Sequence, residues 1–187
     1  MSPAASFESN ERLRLFCALR LPDEAAAALV QWQREAFADE RGVRVLPPDH
    51  LHVTLAFLGH RPAEELEGVL AALREAAGAS QRPLLSAHRY RETRSVGMLA
   101  LEDEGGRAQA LAHDLQARLE ALGVYERERR EWLPHVTVIR FRRRPRLQPA
   151  LPDLEPFTPS DAAAYLSRLR PGGAQYEALE SVALGGR

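Results

Sequence analysis

The order of apolar segments predicts an α+β protein, and three observations carry that reading. Short apolar runs fit strands, and late in the chain they come in local pairs, 84–90 with 97–101 and 162–169 with 176–184. Three longer stretches repeat their apolar residues at helical spacing. Most of the strand runs have no crossover helix between them, as a purely parallel sheet would require, so antiparallel sheets with helices packed outside are expected. The 187 residues fit one domain, and residues 1–187 are read as a single unit.

Leu13–Leu19 is mostly apolar and closes at Pro22, so it reads as a strand. Pro22 and Asp23 open a helix to about Ala38, with Ala26, Leu29, Val30 and Phe37 on one face. Val43–Leu46 is a short strand stopped by Pro47 and Pro48, and His52–Leu58 is a strand closed by Gly59. Pro62 opens a helix ending near Gly78, with Leu66, Val69, Leu70, Leu73 and Ala77 aligned. Gly105 and Gly106 precede a third helix, its core face Ala108, Leu111, Ala112, Leu115, Leu119 and Leu122, ended by Gly123. His135–Phe141 is a strand; the arginine-rich 142–146 is a loop, and the proline-rich 145–159 is irregular. Pro171, Gly172 and Gly173 form the turn between the last two strands.

Composition excludes several mechanisms. No run approaches the roughly 20 apolar residues of a membrane span, and residues 1–11 show no secretory h-region. The single cysteine, Cys17, excludes an internal disulfide and a multi-cysteine metal site, so a cytoplasmic protein is expected. All 25 basic residues are arginine, which removes lysine as nucleophile or Schiff base. The net charge of −1 argues against coating long nucleic acid but not against recognising a short RNA end.

One local pattern occurs twice: His52-Val53-Thr54-Leu55 and His135-Val136-Thr137-Val138. Residues two apart in a strand share a face, so each strand offers one imidazole and one hydroxyl to a surface. Val53, Leu55 and Phe57 are expected behind the first pair, Val136 and Val138 behind the second. Two such pairs across a groove suit phosphoester chemistry. Histidine serves as base or acid near neutral pH. In-line attack puts acid and base on opposite sides of phosphorus, and threonine hydroxyls donate to the non-bridging oxygens. Such a site needs neither metal nor cofactor.

Several segments resemble the two-histidine (2H) phosphoesterase superfamily, in particular its RNA 2′,3′-cyclic phosphodiesterases of LigT/ThpR type. These are Arg12–Pro22, Leu51–Gly59 with its Phe-Leu-Gly tail, Pro134–Arg140, and Gly172–Tyr176 before the last strand. The resemblance implies two pseudo-symmetric lobes, each an antiparallel sheet with outer helices, flanking a groove. It implies His52 as proton donor, His135 as proton acceptor and hydrolysis to a 2′-phosphate, and also 2′–5′ joining of RNA ends. It implies RNA ending in a 2′,3′-cyclic phosphate, tRNA fragments included, as the partner, and no protein partner is inferred. The family's usual tryptophan near Val45 or Leu46 is missing here. A two-histidine esterase of a small cyclic phosphate and a non-catalytic RNA-end binding module remain alternatives.

Arg140 stands where that family often has arginine, yet strict alternation places it opposite His135, so it serves the site only if the strand bends or ends. Residues 127–146 hold eight arginines and two glutamates, either an RNA-phosphate surface that includes Arg142 or a solvated loop. Trp132 and Tyr125 are candidates for stacking on a base or for the core, with the core favoured for Trp132. His50 and His52 form a His-x-His pair without an obvious third ligand. His50 and His60 are read as loop residues near the groove, His88 and His113 as surface positions, and Cys17 as a buried, inert thiol. Ser181 has no histidine partner in its sequence context.

Overall fold

The computed structural model describes residues 11–171 and 173–185; residues 1–10 and Gly172, part of the expected turn, lie outside them. The elements run β1 (Arg12–Arg20), α1 (Asp23–Phe37), β2 (Val43–Val45), β3 (His52–Pro62), α2 (Leu66–Ala79), β4 (Leu84–Glu92), β5 (Val96–Glu104), α3 (Arg107–Ala121), β6 (His135–Phe141), β7 (Asp161–Arg170) and β8 (Gly173–Ala183). The α+β class is as expected.

Among the described residues the strands form one antiparallel sheet in the order β4-β5-β6-β3-β1-β7-β8, with β2 on β6. The local hairpins β4–β5 and β7–β8 sit at its two ends. Between them β1 inserts beside β3 and β7, and β6 beside β5 and β3. The two halves, β3-β1-β7-β8 and β4-β5-β6-β2, share a single paired position, Val53 with Val136. That position is the second residue of each His-x-Thr motif, so the sheet joins its halves at the two motifs.

Alternation divides the faces. Leu13, Leu15, Cys17 and Leu19 of β1 are buried in the main core, as are Val53, Leu55, Val136 and Val138. Leu29 of α1, Val69 and Leu73 of α2, and Leu111, Leu115 and Leu119 of α3 complete that core. Helix α2 packs on β7 and β8, α3 on β3 and β5, and Trp32 and Phe37 of α1 meet Tyr90 of β4 edge-on or tilted. Phe16, Ala18, Met98, Ala100 and Ala163 are also buried but stand apart from this core, on the other face of the sheet.

Three expectations need correction. Strand β3 does not stop at Gly59 but continues to Pro62, because Leu58 bulges out of the β1–β3 register and Gly59 takes the left-handed conformation (φ 68°) that such a bulge needs. Strand β8 begins at Gly173 rather than Tyr176, its first residues pairing back to Arg170. Leu122 is 50% exposed rather than core, since α3 ends at Ala121 and the chain turns at Gly123 (φ 72°) before the apolar stripe is completed.

Candidate active site

Each motif opens its strand, and its polar residues leave the core. His52, Thr54, His135 and Thr137 are half-buried, while Val53, Leu55, Val136 and Val138 are buried. Directly paired residues of antiparallel strands point to the same face. Thr54 pairs with Ala18, which pairs with Ala163, and His135 pairs with Ala100. Small side chains therefore flank the motif residues, and the four polar groups stand above a low floor. One residue either side of the Val53–Val136 pairing, His52 lies toward Thr137 and Thr54 toward His135.

Both motifs then break alternation at the same place. The β1–β3 register skips Leu55, and the β5–β6 register skips Val138; each is the third residue after its histidine. A bulge of one residue flips every later side chain to the opposite face. Phe57 is thus 48% exposed on the motif side, with the Arg14 guanidinium 4.7 Å over its ring, and not behind the first motif as alternation predicts. By the same step Arg140 is exposed on the face of His135 and Thr137. The condition set for Arg140 is met. Gly97 stands opposite this bend because a Cβ there would lie 2.3 Å from the Tyr90 hydroxyl and 2.6 Å from Ile139.

The bulge carbonyls are met by buried amides. Gln116 of α3 donates to Leu55 O at 2.8 Å, and Gln33 of α1 donates to Val138 O at 2.7 Å and Leu46 O at 3.2 Å. Trp132 is half-buried against the core and donates its indole N–H to Thr54 O at 3.1 Å, tying the approach to the second motif onto the first. Tyr125 is likewise half-buried against the core.

The two imidazoles are held differently, His135 by a hydrogen bond and His52 by aromatic stacking. His135 Nδ1 donates to Leu133 O at 2.8 Å, which leaves Nε2 as its free lone pair. His52 stacks on Phe16 at 5.0 Å with Tyr176 edge-on at 5.6 Å, and Tyr165 lies behind Phe16 at 4.9 Å. Burial lowers the pKa of His52 to about 4, helped by the neighbouring charges of His50, His135 and Arg140. Burial also lowers His135, against its bond to Leu133. The Thr54 and Thr137 hydroxyls make no hydrogen bond to the described residues, so both are free to donate to a ligand.

Of the remaining candidates, His50 lies beside the site and the others away from it. His50 is buried in a short turn, stacked on Tyr176 at 4.3 Å, with its pKa lowered chiefly by burial. His60 is not beside the groove: it sits eight residues beyond His52 near the far end of β3, where its carbonyl accepts from Arg12. His88 is exposed, while His113 is half-buried on α3. Cys17 is fully buried and its thiol is pushed up to about 12 by burial. Ser181 accepts from Arg20. Among the described residues no three His, Cys, Asp or Glu side chains gather as a metal site would require.

Sequence reasoning missed Phe16, Tyr165, Gln33 and Gln116, and it quoted Tyr176 only as part of the final hairpin. The glutamines left a signal: Gln33 is four residues from both Leu29 and Phe37, a polar residue inside an apolar stripe.

Two histidines and two hydroxyls on one sheet face, each histidine with an oriented ring, define a phosphoesterase of the two-histidine class. The family profile described as LigT like Phosphoesterase matches residues 19–89. An RNA 2′,3′-cyclic phosphodiesterase of Thermus thermophilus is 37% identical over 185 residues, covering 93% of this chain and 91% of the relative. Its namesake in Escherichia coli is 33% identical over 136 residues, covering 70% and 73%. A solved Thermus thermophilus structure superposes with a TM-score of 0.79 at 34% identity, covering 93% of this chain and 99% of that one. Escherichia coli LigT bound to 3′-AMP shares the fold, with a TM-score of 0.78 at 23% identity and the same coverage. The chain belongs to the LigT-like phosphoesterase family.

Proposed function

We propose that this chain, as one two-lobed unit, hydrolyses RNA 2′,3′-cyclic phosphate ends to 2′-phosphates without metal or cofactor. The observation that carries the reading is the meeting of the two His-x-Thr motifs at the Val53–Val136 pairing, with all four polar side chains on one face. Its named relatives, RNA 2′,3′-cyclic phosphodiesterases, support the same substrate.

His135 takes a proton from water through Nε2 as the water oxygen bonds phosphorus. The bond from phosphorus to the 3′-oxygen breaks, and His52 gives its proton to that oxygen. Thr54 and Thr137 donate to the non-bridging oxygens, where charge is held. Arg140 and Arg142 contact substrate phosphates, and Trp132 holds the Thr54 strand in place. Run with a 5′-hydroxyl in place of water, the same step forms a 2′–5′ bond. The substrates are RNA fragments with such ends, tRNA pieces among them, in the cytoplasm. No helix of the described residues is long and apolar enough to cross a membrane.

Turnover of a 2′,3′-cyclic nucleotide and of an oligonucleotide carrying that end tests the proposal. Both should be hydrolysed at rates unchanged by EDTA. Loss in EDTA, restored by a divalent ion, would point instead to metal held near His50 and His52.

The pH profile follows from the lowered imidazoles. The donor must start protonated and the acceptor neutral. In the free enzyme His52 loses its proton as pH rises through about 4, and His135 gains one only below the ordinary imidazole range. The maximum of kcat/KM, which reports the free enzyme, should therefore fall on the acid side of pH 6.5. In the complex the phosphate anion favours the imidazolium, so the alkaline limb of kcat should lie at higher pH. An alkaline limb of kcat/KM above pH 7 would contradict this account.

A further inference from the structure

Beside the second motif lies a cleft of about 1380 Å³, larger than the roughly 300–1,000 Å³ of a small-molecule site. Seven arginines line it: Arg41, Arg44, Arg140, Arg142, Arg143, Arg144 and Arg146. Of these seven, only Arg144 has an ion-pair partner among the described residues, Glu92. Arg44 and Arg140 stand directly opposite each other on β2 and β6, a like-charge pair that weakens a sheet.

The arginine loop is held in shape. The Glu92 side chain is 2% exposed. Its carboxylate accepts from Arg144 Nε at 3.1 Å, Arg146 N at 2.9 Å, Leu147 N at 2.8 Å and the Tyr90 hydroxyl at 3.2 Å. Arg146 is held at φ 62°, the only described non-glycine residue with positive φ. A buried carboxylate that shapes a loop whose guanidiniums, Arg144 apart, are unpaired makes a built anion site. Arg140 joins it to the histidines, since it lines the cleft and stands on the face of His135 and Thr137.

We propose that this cleft seats the single-stranded RNA leading to the cyclic phosphate, several backbone phosphates at a time. The inference rests on the reading above and adds a preference for polynucleotide over mononucleotide. For single strands the salt slope is about 0.7 per neutralised phosphate. Log KM for a decanucleotide with a 2′,3′-cyclic end should therefore rise with log salt at a slope near 2 or more, against a shallow slope for the cyclic mononucleotide. In Arg41→Ser/Arg143→Ser, the ratio of kcat/KM for decamer over mononucleotide should fall at least tenfold, and Glu92→Ala should lower it too. A ratio within twofold of wild type in both variants, or equal salt slopes for the two substrates, overturns the cleft. Fluorescence anisotropy with a labelled decamer ending in a 2′-phosphate reads the cleft separately from turnover. Inert wild type with arginine-dependent decamer binding refutes the hydrolase reading and leaves the cleft standing.

A second observation stands independently. Of the four buried polar residues described, two are Gln33 at 1% and Gln116 at 4% exposure, and each donates to the bulge carbonyl three residues after a motif histidine. They come from different helices and serve different halves of the sheet. A bulge leaves backbone groups outside the ladder, and in an apolar layer they need a partner. The geometry points to Gln33 and Gln116 as positioning residues that hold the bulges and so aim Thr54 and Thr137, and Arg140 beyond the second. Methionine keeps the length of glutamine and removes the donor. Displacing a reacting group by about 1 Å costs on the order of 10²-fold. Gln116→Met should lower kcat at least tenfold with KM little changed, and Gln33→Met should lower kcat and also raise KM through Arg140. Both are measured well below each variant's Tm. A lower Tm with kcat and KM within twofold of wild type would make the amides merely structural.

Discussion

His135→Ala and His52→Ala should each lose on the order of 10²–10⁴-fold in turnover of an RNA 2′,3′-cyclic phosphate, the usual worth of a positioned acid or base. Each tenfold is about 1.4 kcal/mol of transition-state stabilisation. Both variants should fold, because both rings sit on the motif face rather than in the main core. The two losses differ in kind. His135 bonds Leu133 O through Nδ1, so its Nε2 is free to accept the proton of water, and no leaving group replaces that function. His52 serves the departing 3′-oxygen, whereas a nitrophenyl phosphodiester expels nitrophenolate, which needs no proton. On that substrate His52→Ala should recover much of its rate and His135→Ala should not. Recovery by His135→Ala alone would reverse the roles, and recovery by neither would refute the division of labour.

The parts of the site legible in the sequence are those governed by alternation. His52 with Thr54 and His135 with Thr137 share a face because period 2 holds across three residues, and the valine between each pair is buried as that period requires. Helix α1 lies where helical spacing after Pro22 puts it, and strand β6 spans the apolar run His135–Phe141. What alternation cannot show is where it fails. The bulges at Leu55 and Val138 are fixed by contacts from outside their strands, the Gln116 and Gln33 amides, and by a glycine at position 97 that lets the bend close. Phe57 therefore appeared to be core and Arg140 appeared misplaced. The aromatic surroundings of His52 are equally non-local. Phe16 stands on β1, Tyr165 on β7 and Tyr176 on β8, and only the pairing of β1 with both β3 and β7 brings them beside the histidine. The arginine run at 142–146 was visible, but its shape depends on Glu92, some 50 residues away.

Thr54→Val and Thr137→Val should each lose up to roughly 10²–10³-fold, the cost of one donor in a preorganised anion site. Valine keeps the β-branched shape and strand preference of threonine, so each variant removes a hydroxyl and little else. Thr54 stands beside Ala18 and Thr137 beside Met98, neighbours that offer no replacement donor. Charge on the non-bridging oxygens grows as water attacks, so the missing donor is felt more in the transition state than on binding. The loss should thus appear in kcat and kcat/KM together, with KM nearly constant, and changing the leaving group should rescue neither variant. Removing both hydroxyls should leave the acid and base in place and a residual rate above that of the uncatalysed reaction. A rise in KM with kcat untouched would show that the threonines only bind the ground-state phosphate. Full activity in both variants would remove them from the site and leave the charge on the phosphate oxygens to Arg140.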